Sequence, residues 1–244
     1  MRYMFSNSLF DRPIERWDVS NVTDMSGMFA HSKFDQPLER WDVSNVKKMA
    51  YMFHKAPFNQ PLRQWNVSNV MDMKNMFAES AFNQPIETWN VANVTDMKEM
   101  FKLTPFDRPL ERWDVSNVTD MSGMFAGSRF NQPLESWNIS KVETMRNMFE
   151  GSAFDQPLGN WPIQNISGFY KMFANSKMSR ESYDATLQGW AAQKQVPRDV
   201  KFAPQGMRYC KAKDARQELI TAHKWSFGMN YYGEVDRLDC EAKP

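Results

Sequence analysis

Excess charge of either sign is missing from this chain of 244 residues: 30 Lys and Arg stand against 29 Asp and Glu, with no long run of like charge. That excludes the clustered cations needed to neutralise phosphates, so nucleic acid is not an expected partner. No stretch of 18 apolar residues occurs despite a hydrophobic content of 42%, so no membrane-spanning helix is expected. Only two cysteines are present, Cys210 and Cys240, which either pair in an oxidising compartment or stay free thiols in a cytosol. The three histidines, His31, His54 and His223, lie in unrelated contexts. There is no Cys-His or Ser-His-Asp grouping, no Gly-rich phosphate loop and no metal-ligand spacing, so no catalytic residue, cofactor or metal is expected and the chain does not read as an enzyme. The opening Met1-Arg2-Tyr3-Met4-Phe5 lacks the basic segment and apolar h-region of a secretory signal. As written the sequence reads as cytoplasmic; as a fragment, it reads as part of a surface or secreted protein with its signal and further repeats upstream.

What is abundant is repetition. Tryptophan returns every 24 residues at Trp17, Trp41, Trp65, Trp89, Trp113, Trp137 and Trp161, and Pro13 through Pro157 and the Met-Phe pairs from Met4-Phe5 to Met172-Phe173 keep the same period. A fixed period of this length is the mark of a stacked solenoid. Phase holds to about Lys177, which divides the chain into a repeat array, 1–177, and a C-terminal capping segment, 178–244.

Within one unit, Trp137 and Ile139 alternate with Asn138 as on a short strand, and Val142, Met145, Met148 and Phe149 fall at steps of three, three and one as on a helical turn. Each unit is therefore expected to run strand, bend, short helix and return loop, with proline before the strand. Stacking puts like residues over like, so the Met and aromatic stripes are core rather than a cofactor site. The Ser-Asn pairs after the strand, such as Ser20-Asn21 and Ser44-Asn45, are expected to bond neighbouring backbone. Phe10 to Lys33 and Phe106 to Arg129 differ only at Ile14/Leu110, His31/Gly127 and Lys33/Arg129, as after duplication of a four-unit block.

Written as a motif, the unit is Phe-[Asp/Asn]-Gln-Pro-Leu-Glu-x-Trp-[Asp/Asn]-Val-Ser-Asn-Val-Thr-Asp-Met-x-x-Met-Phe-Ala-x-Ser, as in Phe34 to Ser44 and Val118 to Ser128. It resembles the BspA-family, mycoplasma-type leucine-rich repeat, a domain of unknown function found in bacterial surface proteins and lipoproteins. The resemblance implies an α/β fold: a right-handed leucine-rich-repeat-like solenoid of 24-residue units with a C-terminal α/β cap. It also implies a noncatalytic protein-binding module of the bacterial surface, adhesion or host-interaction type. The alternative is an intracellular immunity or inhibitor protein that occludes a partner toxin or enzyme.

Columns that stay constant define shape, and columns that vary are candidates for recognition. The residue before tryptophan reads Arg16, Arg40, Gln64, Thr88, Arg112 and Ser136, and the outward position after it reads Asp18, Asp42, Asn66, Asn90, Asp114 and Asn138. These twelve residues form the expected protein-binding ladder on the concave face. Asp11, Asp35, Asn59, Asn83, Asp107 and Asn131 match the second column unit by unit, and the alternation to Asn, with the nearby arginines, is expected to relieve repulsion between stacked carboxylates. The pairs Ser26-Gly27 through Arg146-Asn147 vary as well.

In the C-terminal segment, helices are expected over Ser179–Gln193 and about Lys211–His223, with short strands at Val200–Phe202 and Trp225–Phe227. Tyr183, Gly189-Trp190, Ala215-Arg216 and Trp225 resemble the end of other BspA-like chains, whereas the tail after Phe227 departs from them. At the other end Tyr3, Met4, Phe5, Leu9 and Phe10 form an apolar half-turn without a cap, an edge expected to self-associate.

Overall fold

The computed structural model describes residues 1–229, 233–234 and 236–241, so residues 230–232, 235 and 242–244 of the expected capping segment lie outside the described residues. Successive 24-residue units lie side by side in register. Single-residue parallel bridges join Asp24 to Lys48, then Asp72, Asp96, Asp120, Thr144 and Gly168 in turn.

The bridge falls where a helix was expected, and no helix forms in the units. Following Met145, alternate N–H groups leave the unit: those of Met145, Asn147, Phe149 and Gly151 donate to the carbonyls of Gly168, Tyr170, Met172 and Ala174 in the next one. The intervening N–H groups of Met148, Glu150 and Ser152 donate back three residues, which makes consecutive turns. A helix would keep all of these donors within the segment. Three chained turns bring i and i+3 to one side as a helix does, which is why the Met-x-x-Met-Phe spacing reads as helical. The chain affords this path by taking left-handed φ twice per unit, at Asn147 (58°) and Gly151 (64°), and equivalently at Gly27 and His31 or Tyr51 and Lys55. A positive φ at the third residue is what a type II turn requires.

The expected strand at Trp137–Ile139 is likewise absent. That stretch runs between a turn closed by Trp137 N–H on the Leu134 carbonyl and one closed by Val142 N–H on Ile139. Its alternation is real, because Trp137 and Ile139 are buried and Asn138 is exposed, but its partner is not a neighbouring strand. The Trp137 indole Nε1–H instead donates to the Leu110 carbonyl of the preceding unit at 3.0 Å. The same bond recurs from Trp41 to Ile14, Trp65 to Leu38, Trp89 to Leu62, Trp113 to Ile86 and Trp161 to Leu134. A buried indole needs such an acceptor.

The core consists of aromatic columns. Phe29, Phe53, Phe77, Phe101, Phe125 and Phe149 stack with centroids 5.6–5.8 Å apart. Each also faces a second phenylalanine of the following return loop, as Phe53 faces Phe58 at 3.9 Å.

Past the last unit, α1 (Arg180–Ala191) is capped by Ser179, whose hydroxyl accepts from Ser182 N–H. Then come β1 (Arg208–Tyr209), α2 (Lys213–Thr221), β2 (Gly228–Met229), β3 (Gly233–Glu234) and β4 (Arg237–Leu238). Both expected helices are present, each shorter than the sequence pattern suggested. The expected strands at Val200–Phe202 and Trp225–Phe227 reduce to one parallel bridge, Lys201 to Ser226. β1 pairs parallel with β4, and β2 antiparallel with β3. Cys210 and Cys240 form a disulfide.

This segment closes the stack by copying its bonds. The Trp190 indole donates to the Leu158 carbonyl at 2.9 Å, the place a further repeat tryptophan would take. Lys171 and Asn175 N–H donate to the Phe202 and Gln205 carbonyls. A buried cluster locks the segment: Arg216 Nη2 lies 2.8 Å from Asp236 Oδ1, Tyr183 Oη donates to Asp236 Oδ2, and the guanidinium lies between the Tyr209 and Phe227 rings. Burial, then the Asp236 charge, pushes the Tyr183 phenol well above its ordinary pKa. The buried Asp184 carboxylate accepts from the N–H groups of Cys210, Lys211 and Ala212 just before α2.

Candidate interaction surface

All twelve residues of the expected ladder, Arg16, Asp18, Arg40, Asp42, Gln64, Asn66, Thr88, Asn90, Arg112, Asp114, Ser136 and Asn138, are exposed. The two columns behave differently. Asp18, Asp42, Asn66, Asn90, Asp114 and Asn138 each turn Oδ1 back to accept the N–H two residues on, at 3.0–3.2 Å, so one oxygen of every member is held in an Asx turn. Hydrogen bonds from the Ser20, Ser44 and Ser116 side chains, then from their N–H groups, hold Asp18, Asp42 and Asp114 below the ordinary carboxylate pKa. The expected arginine relief is not what balances these carboxylates: no ion pair joins Arg16, Arg40 or Arg112 to them among the described residues. In the other column, Thr88 and Ser136 bond the Arg63 and Glu111 carbonyls of the preceding unit, while Arg16, Arg40, Gln64 and Arg112 make no such bond among the described residues.

The matching column Asp11 to Asp155 has a separate task. Each Oδ1 accepts the N–H of the residue 24 positions on, from Asp11 with Asp35 through Asn131 with Asp155, and Asp155 then accepts Ser179 at the start of α1. Asp and Asn carry the same oxygen, so the column tolerates either. The Asn side chains of the Ser-Asn pairs bond the preceding unit, as Asn45 Nδ2 does the Ser20 carbonyl.

Sequence reasoning did not single out the bridge column or the whole turn face as sites. Asp72, Asp96 and Asp120 stand side by side on the bridge column. Burial, then its two like-charged neighbours, raises the pKa of Asp96, against a lowering bond from Lys98 N–H. On the turn face, His31 and His54 meet edge to face at 5.0 Å, Tyr51 lies 5.7 Å from His54, and Lys55 pairs with Glu79. Burial, then the neighbouring His31 imidazole, lowers the His54 pKa against the raising effect of Glu79. Farther along, a shallow hollow of 290 Å³ opens over Gly123, bordered by Lys98, Glu99, Lys102, Arg146 and Asn147. Gly123 holds a φ of 63°, and a Cβ there would meet the Glu99 Cγ at 3.0 Å. The signal for this face was the variation of the Ser26-Gly27 to Arg146-Asn147 pairs, whose second position takes a left-handed φ in every unit, whether it is Gly, Tyr, Asn or Glu.

Unit-to-unit bonding of this kind is set by the repeat motif, and a family model matches that motif over residues 1–105 and 72–190. The chain belongs to the family described as Mycoplasma protein of unknown function, DUF285. Comparison with curated proteins and with solved structures returned no match. The DUF285 match ends inside α1, so Trp190 is its last residue and the stretch carrying the disulfide lies beyond it. Among the described residues no helix is long and apolar enough to cross a membrane, and no group of three or more His, Cys, Asp or Glu could hold a metal ion.

Proposed function

We propose that this DUF285 chain is a noncatalytic protein-binding module, a right-handed leucine-rich-repeat-like solenoid of the BspA type over residues 1–177 with an α/β cap over 178–244. The observation that carries this reading is the column Arg16, Arg40, Gln64, Thr88, Arg112 and Ser136: exposed on six successive units, chemically varied, and for its charged members uncommitted to unit-to-unit bonds. Around it every interior column is spent on packing, which suits a rigid scaffold presenting a row of side chains to a protein partner. The outward Asx oxygens and the turn face extend that row. Of the two settings expected from sequence, a bacterial surface adhesion or host-interaction role gains support over an intracellular immunity role from the Cys210–Cys240 disulfide, because such bonds persist in oxidising compartments.

The test is a panel of immobilised extracellular-matrix and host-surface proteins probed with the wild type and with Arg16→Glu/Arg40→Glu/Arg112→Glu. The expected result is saturable binding to a panel member, weakened at least tenfold in the triple variant at unchanged melting temperature. Equal binding by the folded triple variant would remove this column from the site, and no binding to any member would remove the adhesion reading.

A further inference from the structure

Where the last unit meets the C-terminal segment lies a cavity of about 460 Å³, within the range of small-ligand sites. The bridge column gives out as it reaches this seam: Asp72, Asp96 and Asp120 are followed by Thr144 and then by Gly168, which is buried and has no side chain. A Cβ at Gly168 would lie 2.8 Å from Thr144 Oγ1 and 3.3 Å from Arg146 Nε, so the Arg146 side chain passes beside the glycine. Ser167 and Tyr170 line the cavity from the same unit, and the C-terminal segment supplies Asp199 and Lys201. Backbone bonds fix both of these. Asp199 takes a left-handed φ of 58° and its N–H donates to the His223 carbonyl at 3.0 Å. Lys201 lies on the bridge to Ser226 between the buried Val200 and Phe202, so its side chain points outward. Among the described residues no ion pair joins Arg146, Asp199 or Lys201 to another side chain. The Ser167 hydroxyl donates to the Glu143 carbonyl at 3.2 Å and keeps its lone pairs.

We propose that this cavity binds a sugar acid, a pyranose bearing one carboxylate, of the uronic or sialic type that ends many glycans. Arg146 and Lys201 supply the cations for the carboxylate, and the planar guanidinium offers the paired donors that a carboxylate accepts. The last carboxylate of the bridge column, Asp120, lies two units before Gly168, about 10 Å by the spacing of neighbouring strands, so the stacked acids do not oppose the ligand's charge. Asp199 is the group that selects. Beside two cations it weakens the hold on a compact dianion such as phosphate, whereas it accepts readily from the hydroxyls of a sugar. The Ser167 lone pairs give those hydroxyls a second acceptor. Tyr170, 36% exposed, borders the cavity with an aromatic ring for the C–H face of a pyranose, and Lys171 Nζ lies 5.7 Å from its centroid. The site uses none of the twelve ladder residues, so it stands or falls separately from the protein-binding reading.

Titration calorimetry on the full chain tests it with glucuronic acid, N-acetylneuraminic acid, glucose and inorganic phosphate, using the wild type, Arg146→Gln/Lys201→Gln, Asp199→Asn and, as a control on the ladder, Arg40→Gln. The expected result is saturable binding of at least one of the two sugar acids by the wild type and by Arg40→Gln, with glucose and phosphate each about tenfold weaker or more. Arg146→Gln/Lys201→Gln is expected to lose that binding at unchanged melting temperature. Asp199→Asn is expected to narrow the gap between sugar acid and phosphate, because it removes the charge that disfavours the dianion. Failure of both sugar acids to bind, equal binding of glucose or of phosphate by the wild type, or full binding by the folded Arg146→Gln/Lys201→Gln variant would each overturn the proposal.

Discussion

Among the described residues, the buried polar side chains of the stack are hydroxyls and one amide, Ser26, Ser32, Asn75, Ser80, Thr104, Ser128 and Ser152, whereas the buried charges Asp184, Arg216 and Asp236 all lie in the C-terminal segment. The difference follows from repetition. Inside the stack each polar group can be handed to an identical neighbour, as the indoles and Asx oxygens are, so no charge need be buried. At the end there is no identical neighbour, and a surface of fixed shape must be matched by a different sequence. That match requires contacts that occur once, and buried charges with bonds on several sides specify a single arrangement. The stack is thus held by many equivalent bonds and its cap by a few irreplaceable ones.

The contrast is broken most forcefully at mid-stack. Trp113→Ala removes a side chain only 3% exposed and its bond to Ile86, and is expected to cost about 4 kcal/mol in denaturant unfolding, with the damage shared by the flanking units. On the cap side, replacing Cys210 and Cys240 by serine opens a link spanning 30 residues. The expected loss is about 3.5 kcal/mol, seen as a melting transition that reducing agent shifts in the wild type and leaves alone in the variant. Asp236→Ala removes the carboxylate paired with the buried Arg216 guanidinium and is expected to cost about 3 kcal/mol, chiefly in the hydrogen-exchange protection of α1 and α2 and little in the first units.

A gain is expected where the stack sets like charges side by side. Asp96→Asn keeps the oxygen that accepts Lys98 N–H and removes the repulsion from Asp72 and Asp120. It should stabilise by about 0.5 kcal/mol at neutral pH. Because the folded pKa of Asp96 is raised, its favourable contribution is full below its unfolded value and lost as pH rises through the folded one. The advantage of Asp96→Asn should therefore disappear in acid, and a gain independent of pH would show that charge is not its cause. Asp18, Asp42 and Asp114 carry the opposite sign. Their depressed values supply stability above the unfolded pKa that is lost as pH falls through the folded one. Converting all three to Asn, as at Asn66, Asn90 and Asn138, should remove that contribution at neutral pH, leave stability in acid nearly unchanged, and so flatten the acid limb of a melting-temperature profile.

The period, the buried columns and the two C-terminal helices were legible because each rests on spacing: tryptophan at 24, Met-x-x-Met-Phe within the unit, Tyr183, Leu187 and Trp190 on one helix face. Local path was not. A helix and a chain of turns bury the same residues, and only the destination of alternate N–H groups separates them, which depends on the next unit. The left-handed positions were masked for a similar reason: Gly27 and Gly123 suggest them, but Tyr51, Glu99 and Lys171 occupy the same place. The exposure of the twelve ladder residues was legible from alternation, while the inward turn of the Asp18 column was not, since Asp reads equally as a charge for a partner and as an acceptor for its own backbone.

The indole bonds have a consequence for biosynthesis. Each tryptophan reaches back to the unit before it, as Trp41 does to Ile14 and Trp190 to Leu158, so on a ribosome no unit can complete its interior until the tryptophan of the following one has emerged. The nascent chain is then always one unit short of finished, and its advancing face stays open until α1 and the stretch through Trp225 are released. A pause in translation within the array would hold that aromatic face exposed, and rapid synthesis through the last units shortens the time in which another nascent chain can add to it.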